Sequence, residues 1–481
     1  MRRFILAAIG CLILQAVSWA GTTITPTTSL SIETTNNTSA ASSFATQTNN
    51  NLGASNISKV ATRTQIYTGS TSPLYAHFMA WFGGNNHMNV GYRSDDPTQV
   101  HKQIDDMLSR GLNGMIIDWY GPNGTRENDT SIYVMQDAAS RGGQFVFAIM
   151  EDVGSLKACA ATAGCNVTQQ LISDLAYIYT EFESSPDYMR VNGRPVIAFF
   201  GVDVYTIDWP LVRSSVQGNP LFIFRNNGAF THPETNGGFS WVGLSSTPTN
   251  MGLGYLDSYY KTALTYPAEY TFGSGYKGFN DTLASWGSNR ILDQQCGQTW
   301  LATLAEAGKY YSAANQLDAI QLVTWNDYEE GTEIETGIDN CVSITAAMSG
   351  SKITWNVTGQ PNTIDHYTIF ISTDGQNLMS LAKVATSVTA LDLSTFGLAP
   401  GKYVLYVKAV GKPSLLNHMS GAVSYSTVIK RRALPIDRVP TTGTSSTGVR
   451  VVDTHRSLVE NGGGSSYRKR AAGKRRTAPA L

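Results

Sequence analysis

Charge is scarce in this chain: Lys, Arg, Asp and Glu make up 15% of its 481 residues, against about 25% in an average globular protein. No Gly-rich phosphate loop follows the first apolar strand candidate, which argues against a nucleotide-binding sheet. No metal-ligand cluster and no nucleic-acid motif is visible, so no metal, no cofactor and no nucleic-acid partner is expected. Long apolar runs are also missing. The most extended one, Phe4 to Val17, is too short for a confident membrane span. Cysteine is rare, with five in all.

What is present points to export. Arg2-Arg3, the run from Phe4 to Val17 and Ser18-Trp19-Ala20 before Gly21 read as a signal peptide over residues 1–20. No transmembrane segment is then expected in the mature chain, and the protein is expected to be secreted, extracellular or periplasmic. Four cysteines remain, Cys159, Cys165, Cys296 and Cys341, with three possible pairings. Cys159 and Cys165 form the easiest local pair, which joins Cys296 to Cys341. Residues 21–60 are rich in Ser, Thr and Asn and carry no apolar period, as expected of a disordered leader. Residues 429–481 hold 12 Lys/Arg against 3 Asp/Glu. They read as a basic disordered tail suited to contacting anionic surfaces.

Between these ends strand and helix patterns alternate. Apolar strand candidates fall at 74–82, 114–120, 144–152, 195–200 and 221–225, with weaker ones at 239–242 and 269–273 and a last one at 319–325. Helical periods fall at 97–110, 131–141, 167–188 and 298–313. In the first of these, Val100, Ile104, Met107 and Leu108 share one face and Gly111 ends it. Eight such strands over 61–340 predict an α/β fold, a (β/α)₈ TIM barrel. From 341 to 428 the pattern becomes alternating strands between turn residues, an all-β sandwich. There Trp355 and Tyr367 are candidate core aromatics. Tyr403 resembles the corner tyrosine of a fibronectin type III domain.

Barrel active sites collect at the C-terminal ends of the strands. Those ends carry Trp81 and Phe82; Asp118, Trp119 and Tyr120; Glu151 and Asp152; Arg225 and Asn226; Trp241; Tyr276; and Trp325 to Glu330. Together they describe an acidic, aromatic cleft. The densest stretch is Trp325-Asn326-Asp327-Tyr328-Glu329-Glu330. Asp327 and Glu330 lie three residues apart just past a strand end, and such a carboxylate pair is what glycosidic bond cleavage needs. Aromatic faces suit the stacking of sugar rings.

These residues support a family resemblance. Asn326-Asp327-Tyr328-Glu329-Glu330-Gly331-Thr332-Glu333-Ile334-Glu335 resembles the Asn-Glu-Trp-His-Glu-Gly-Thr-x-Ile-Glu motif of glycoside hydrolase family 99, endo-acting α-mannosidases on a (β/α)₈ barrel. Thr324-Trp325-Asn326-Asp327-Tyr328 with Glu330 follows more closely the Trp-Asn-Asp-Tyr-x-Glu motif of glycoside hydrolase family 71, the α-1,3-glucanases. The resemblance spans roughly 74–338 and is specific at the last strand. It implies a secreted endo-acting hydrolase of an α-glucan or α-mannan, with a polysaccharide or oligosaccharide as partner. Glu330 would be the general acid and Asp327 the base. Asp118, Trp119, Tyr120, Glu151, Trp81, Tyr276, Trp325, Asn326 and Glu329 would line the sugar site. Family 99 has Glu where this chain has Asp327. The shorter side chain leaves room for water, as an inverting reaction needs, and retention and inversion both stay open at this stage. The alternative function is a catalytically silent carbohydrate-binding or cell-surface protein on the same fold.

Overall fold

The computed structural model describes residues 56–244, 250–375 and 378–428. The signal peptide, nearly all of the Ser/Thr/Asn-rich leader and the basic tail lie outside the described residues.

The first half is a closed barrel of eight parallel strands. They are β1 (Leu74–Met79), β2 (Gly114–Trp119), β3 (Val146–Asp152), β4 (Arg194–Phe200), β5 (Leu221–Arg225), β6 (Gly237–Phe239), β7 (Tyr270–Tyr276) and β8 (Ala319–Val323). Each strand pairs with its neighbours in chain order, β8 pairs with β1, and the ring is complete. A two-residue strand, Arg190–Val191, pairs antiparallel with β4 at its start. Helices α1 (Pro97–Ser109), α2 (Arg126–Ser140), α3 (Val153–Ala160), α4 (Val167–Glu181), α5 (Trp209–Ser215), α6 (Leu253–Ala263) and α7 (Gln298–Glu306) lie between the strands.

Local chemistry sets the helix starts. Asp96 accepts a hydrogen bond from Thr98 N at 2.9 Å ahead of Pro97. Thr125, Asn166 and Asp208 cap α2, α4 and α5 in the same way. Gly111, at φ 79°, turns the chain out of α1 where a side chain would be strained. Val100, Ile104 and Met107 are buried as the pattern predicts, and Leu108 is half-buried. The structure corrects several bounds. α2 starts five residues earlier than its apolar period, because its first turn is polar and held by its cap. The pattern expected at 167–188 ends at Glu181, α3 and α5 are short helices whose periods are too brief to read, and α6 was not anticipated.

Order also begins earlier than expected. Ile57 bridges to Leu416, Ser58 N donates to Leu415 O at 2.8 Å, and Thr62–Gln65 forms a 3-10 turn.

Two antiparallel sheets follow the barrel. One is β9 (Ser343–Ser349), β10 (Lys352–Thr358) and β13 (Ala390–Asp392). The other joins β11 (Ile364–Ser372), β12 (Met379–Ala385), β14 (Gly401–Gly411), β15 (His418–Met419) and β16 (Val423–Thr427). Their shared core holds Ile353, Ile369, Leu405 and Val407, with Trp355 edge-on to Tyr367 at 5.4 Å. Barrel and sheets belong to one compact unit. The turn between β14 and β15 carries Leu415 into the barrel core. Trp300 Nε1 donates to Pro413 O at 2.8 Å, and Leu416 N to Ile338 O at 2.9 Å. Disulfides close as expected at Cys159–Cys165 and Cys296–Cys341. The second ties the start of α7 to the chain leaving the barrel. No described helix is long and apolar enough to cross a membrane.

Candidate active site

The polypeptide past β8 is built to hold two carboxylates in one turn. Asn326 anchors it: its Oδ1 accepts from Met79 N at 2.8 Å and its Nδ2 donates to Met79 O at 2.9 Å, so it fastens the loop to the end of β1. Asp327 N donates to Thr324 Oγ1 at 2.8 Å. Asp327 Oδ1 then accepts the backbone N–H of Glu329 at 3.0 Å and of Glu330 at 2.9 Å. One carboxylate oxygen is thereby fixed, and the residue carrying the second acid is fixed by the same bond.

Facing this turn is a cluster of acids. Asp118, at the end of β2, is buried with Oδ1 unpartnered among the described residues. Burial raises its pKa well above the ordinary carboxyl range, and the charges of Asp152, Asp327, Glu127 and Glu330 add to that. Burial pushes Asp152 up to about 7, opposed by the Gly154 N–H and by Arg225. Burial also pushes Glu330 up to about 7, opposed by Arg290 and Arg225 and by a hydrogen bond from the Trp241 side chain. Asp327 is raised by burial and then by the charge of Glu330, against the pull of its two N–H donors. Two repelling carboxyls in one dry site share a proton. The N–H pair on Asp327 favours its ionised form, and Arg290 and Arg225 favour the ionised form of Glu330.

Aromatic rings wall the cluster. Trp81 stacks on Tyr120 with centroids 5.7 Å apart and on His87 at 5.1 Å. The Tyr120 hydroxyl sits in the field of Asp118, Asp152, Glu127 and Asp327, and burial and those charges raise its pKa. On the other side of Glu330 a cavity of about 300 Å³ is lined by Phe200, Arg225, Asn226, Trp241, Phe279 and Arg290. The floor of the barrel is His77, which meets Gln321 Oε1 through Nε2 at 2.6 Å and Trp241 edge-on at 4.7 Å. Burial holds that imidazole down at about 4, so it stays neutral.

Asp327, Glu330, Asp118, Trp81 and Tyr120, read from sequence as site residues, are therefore brought together. Five others have structural surroundings. Trp119 points outward, with Nε1 on Asn128 Oδ1 at 3.1 Å and its ring on Tyr177. Glu151 also points outward, toward Ser155 and Asp174, and is fully buried. Trp325 lies under the Arg110 guanidinium at 4.7 Å, away from solvent. Tyr276 is fully buried, and a Cβ placed on Gly252 would come within 2.5 Å of its hydroxyl. Glu329 turns away from its neighbours to accept from Met88 N at 2.9 Å and meet His87 Nδ1 at 3.0 Å. Asn326 positions the loop rather than lining the cleft.

Three residues not assigned to the site belong to it. Asp152, not Glu151, is the β3 acid that faces Asp118. The register shows why: Asp118 aligns with Met150, so residues 148, 150 and 152 share its face. Both faces of a barrel strand are buried, so the sequence alone leaves this phase unreadable. Arg225 and Arg290 supply the cationic side, and Arg290 is held by Asp281, which accepts from its Nε at 2.8 Å. Among the described residues no group of His, Cys, Asp or Glu is arranged to hold a metal ion.

Behind the loop, Glu335 accepts from Tyr328 and Tyr92 hydroxyls at 2.8 and 2.9 Å and from Gln103 at 3.0 Å, and burial pushes it up to about 7. Glu330, Asp152 and Glu335 thus all have folded pKa values above their unfolded ones. Such groups stabilise the fold fully below the unfolded carboxyl range, and that stability is lost as pH rises through about 7. Thermal unfolding is expected to show a lower Tm at pH 8 than at pH 5, with a smaller drop in Glu335→Gln. A Tm that is flat or rising across that window contradicts the burial assignment.

Comparison with known proteins gives one family match: the model of glycosyl hydrolase family 71 matches residues 74–336. Among solved structures, the chain is similar to a GH99 endo-alpha-mannosidase from Bacteriodes thetaiotaomicron at 16% identity. That alignment covers 55% of this chain and 87% of that one, with a TM-score of 0.43. An endo-beta-N-acetylglucosaminidase from Cordyceps militaris aligns at 11% identity over 57% of this chain and 90% of its own, with a TM-score of 0.31. No curated protein matches the chain.

Proposed function

The chain belongs to glycosyl hydrolase family 71, and from that membership we propose that it cleaves internal α-linkages of a polysaccharide, an α-glucan or an α-mannan, with Glu330 as general acid and Asp327 as general base. The observation that carries this reading is the turn after β8, where Asp327 Oδ1 accepts the N–H of Glu330, Glu330 lines the cavity and Asp118 feels the charge of both. In the reaction, Glu330 gives its proton to the glycosidic oxygen as the C1–O bond breaks and its electron pair stays on that oxygen. A water oxygen bonds to C1 and passes a proton to Asp327 through the carboxylate oxygen that the backbone leaves free. The positive charge that grows on the sugar is favoured beside the ionised Asp327. The reaction inverts configuration, because the short Asp327 arm is tied by two N–H bonds and reaches C1 only through water.

Aromatic walls on both sides of Glu330, Trp81 with Tyr120 and Phe200 with Trp241, support binding of sugars on both sides of the cut bond, as internal cleavage requires. Two disulfides accord with an exported enzyme. We read 341–428 as a fibronectin type III-like domain, which the bond from Tyr403 OH to Ala399 O at 2.8 Å supports as a tyrosine corner.

Chromatography of products after incubation with α-1,3-glucan, other α-glucans and α-mannans tests the proposal. Oligosaccharides released from one polymer are expected. Retained binding to a polymer with no product from any of them would favour the silent binding protein.

A further inference from the structure

The cleft is electrically divided, and Glu330 stands at the seam. On the side of β2, β3 and the Asp327 turn are Asp118, Asp152 and Asp327, mutually repelling acids. On the side of β5 to β7 are Arg225 and Arg290, which line the 300 Å³ cavity with Trp241 and Phe200. The two arginines differ. Arg290 is occupied by Asp281 through Nε at 2.8 Å and by its own backbone N–H to the same carboxylate at 2.6 Å. The Arg225 guanidinium makes no hydrogen bond to any described residue. Its guanidinium lies over the Phe200 ring at 3.9 Å. It feels Tyr255, Glu330 and Asp152 only through space, and burial lowers its pKa. A stacked guanidinium has its plane fixed and its N–H donors directed edgewise. Its donors line the cavity without a protein acceptor and are open to a ligand.

Building on the acid and base roles proposed above, we infer that the glycan binds with one polarity: the sugar that gains positive charge sits in the acidic half, and the sugar leaving with the glycosidic oxygen sits in the arginine half. Arg225 is the specificity-determining donor for oxygen substituents of that leaving sugar. The growing oxocarbenium charge is stabilised beside the ionised Asp327 and opposed beside a guanidinium, so the reverse polarity is disfavoured at the transition state. A pocket of this volume, at the small end of ligand sites, accommodates the sugar next to the cut bond. Trp241 forms one wall, and Glu330 lines the same cavity.

The test compares two substrates of one glycone: the oligosaccharide, and the α-glycosyl fluoride that leaves as fluoride with no sugar in the arginine half. Arg225→Met keeps an apolar arm over Phe200 and removes the donors. On the oligosaccharide its kcat/KM is expected to fall about 10- to 100-fold, as for loss of hydrogen bonds from a charged group. On the fluoride the fall is much smaller, so the ratio of the two changes by about tenfold or more. Arg225→Lys, which lacks the planar fork, is expected to recover only part of that ratio. Equal losses on both substrates would place Arg225 in the glycone half or in Glu330 tuning and overturn the polarity alone. A wild-type enzyme that hydrolyses neither substrate, over a panel of glycones, would overturn the proposed function and this inference with it.

Discussion

Glu330→Gln lowers kcat on the polymeric α-glycan by roughly 10²- to 10⁴-fold, the usual value of a positioned general acid. The amide keeps the size of the side chain and its place against Trp241 but has no proton to give to a sugar oxygen. The loss is expected to be far smaller on the α-glycosyl fluoride, because fluoride departs with little protonic help. The pH profile separates this role from a structural one. Burial holds the Glu330 carboxyl at about 7 against the pull of Arg290 and Arg225. The acid is therefore loaded below pH 7, and wild-type kcat/KM falls as pH rises above it. The residual activity of Glu330→Gln is expected to lack that alkaline limb. If the variant keeps wild-type activity on the polymer, Glu330 is not the acid.

Asp327→Asn is expected to lose a similar factor, roughly 10²- to 10⁴-fold, on both the polymer and the fluoride. Every substrate needs the water to be activated, whatever its leaving group. The amide oxygen of Asn can still accept from the Glu329 and Glu330 N–H groups, which the native carboxylate holds at 3.0 and 2.9 Å. The turn and the position of Glu330 should therefore persist, and thermal unfolding should show a Tm close to that of the wild type. A variant that spares the fluoride would remove Asp327 from the base role. The two substitutions thus differ on the fluoride while both lose activity on the polymer, and the assignment of acid and base rests on that contrast.

The sequence displayed the acid pair because both carboxyls sit on one uninterrupted turn, Trp325 to Glu330, where no partner strand is needed to bring them together. Six of the barrel strands were legible for a related reason: each is a short apolar run bounded by polar turns, whereas Gly237–Phe239 meets its candidate at 239–242 only at Phe239 and Tyr270–Tyr276 is broken by Gly273 and Gly275. Which side of each strand faces the cleft was not legible. Trp119, Glu151 and Trp325 are strand-end aromatics and an acid like Trp81 and Asp118, yet they point into the barrel wall, where Asn128, Asp174 and Arg110 meet them. Burial on both faces removes the alternation that would reveal the phase. Glu329 shows a different limit. Glu330 next to it lines the cleft, while the Glu329 carboxylate itself closes the loop at His87 and Met88, a contact across more than two hundred residues of sequence. Arg290 was missed because its hairpin carries no strong strand pattern, and its direction is set by Asp281 alone. The turn at Leu415 lies within the 341–428 segment in sequence; in space it completes the barrel core.

The claim at the centre of this account is that Asp327 drives a water onto the anomeric carbon opposite Glu330. Time-resolved proton NMR of the anomeric region during cleavage of an α-linked oligosaccharide reads this directly. The account predicts that the first product signal is the β anomer, which then mutarotates toward equilibrium, and that Glu330→Gln gives no signal on that timescale. An α anomer appearing first would contradict it, since the new C1–O bond would then lie on the face that the leaving sugar had occupied.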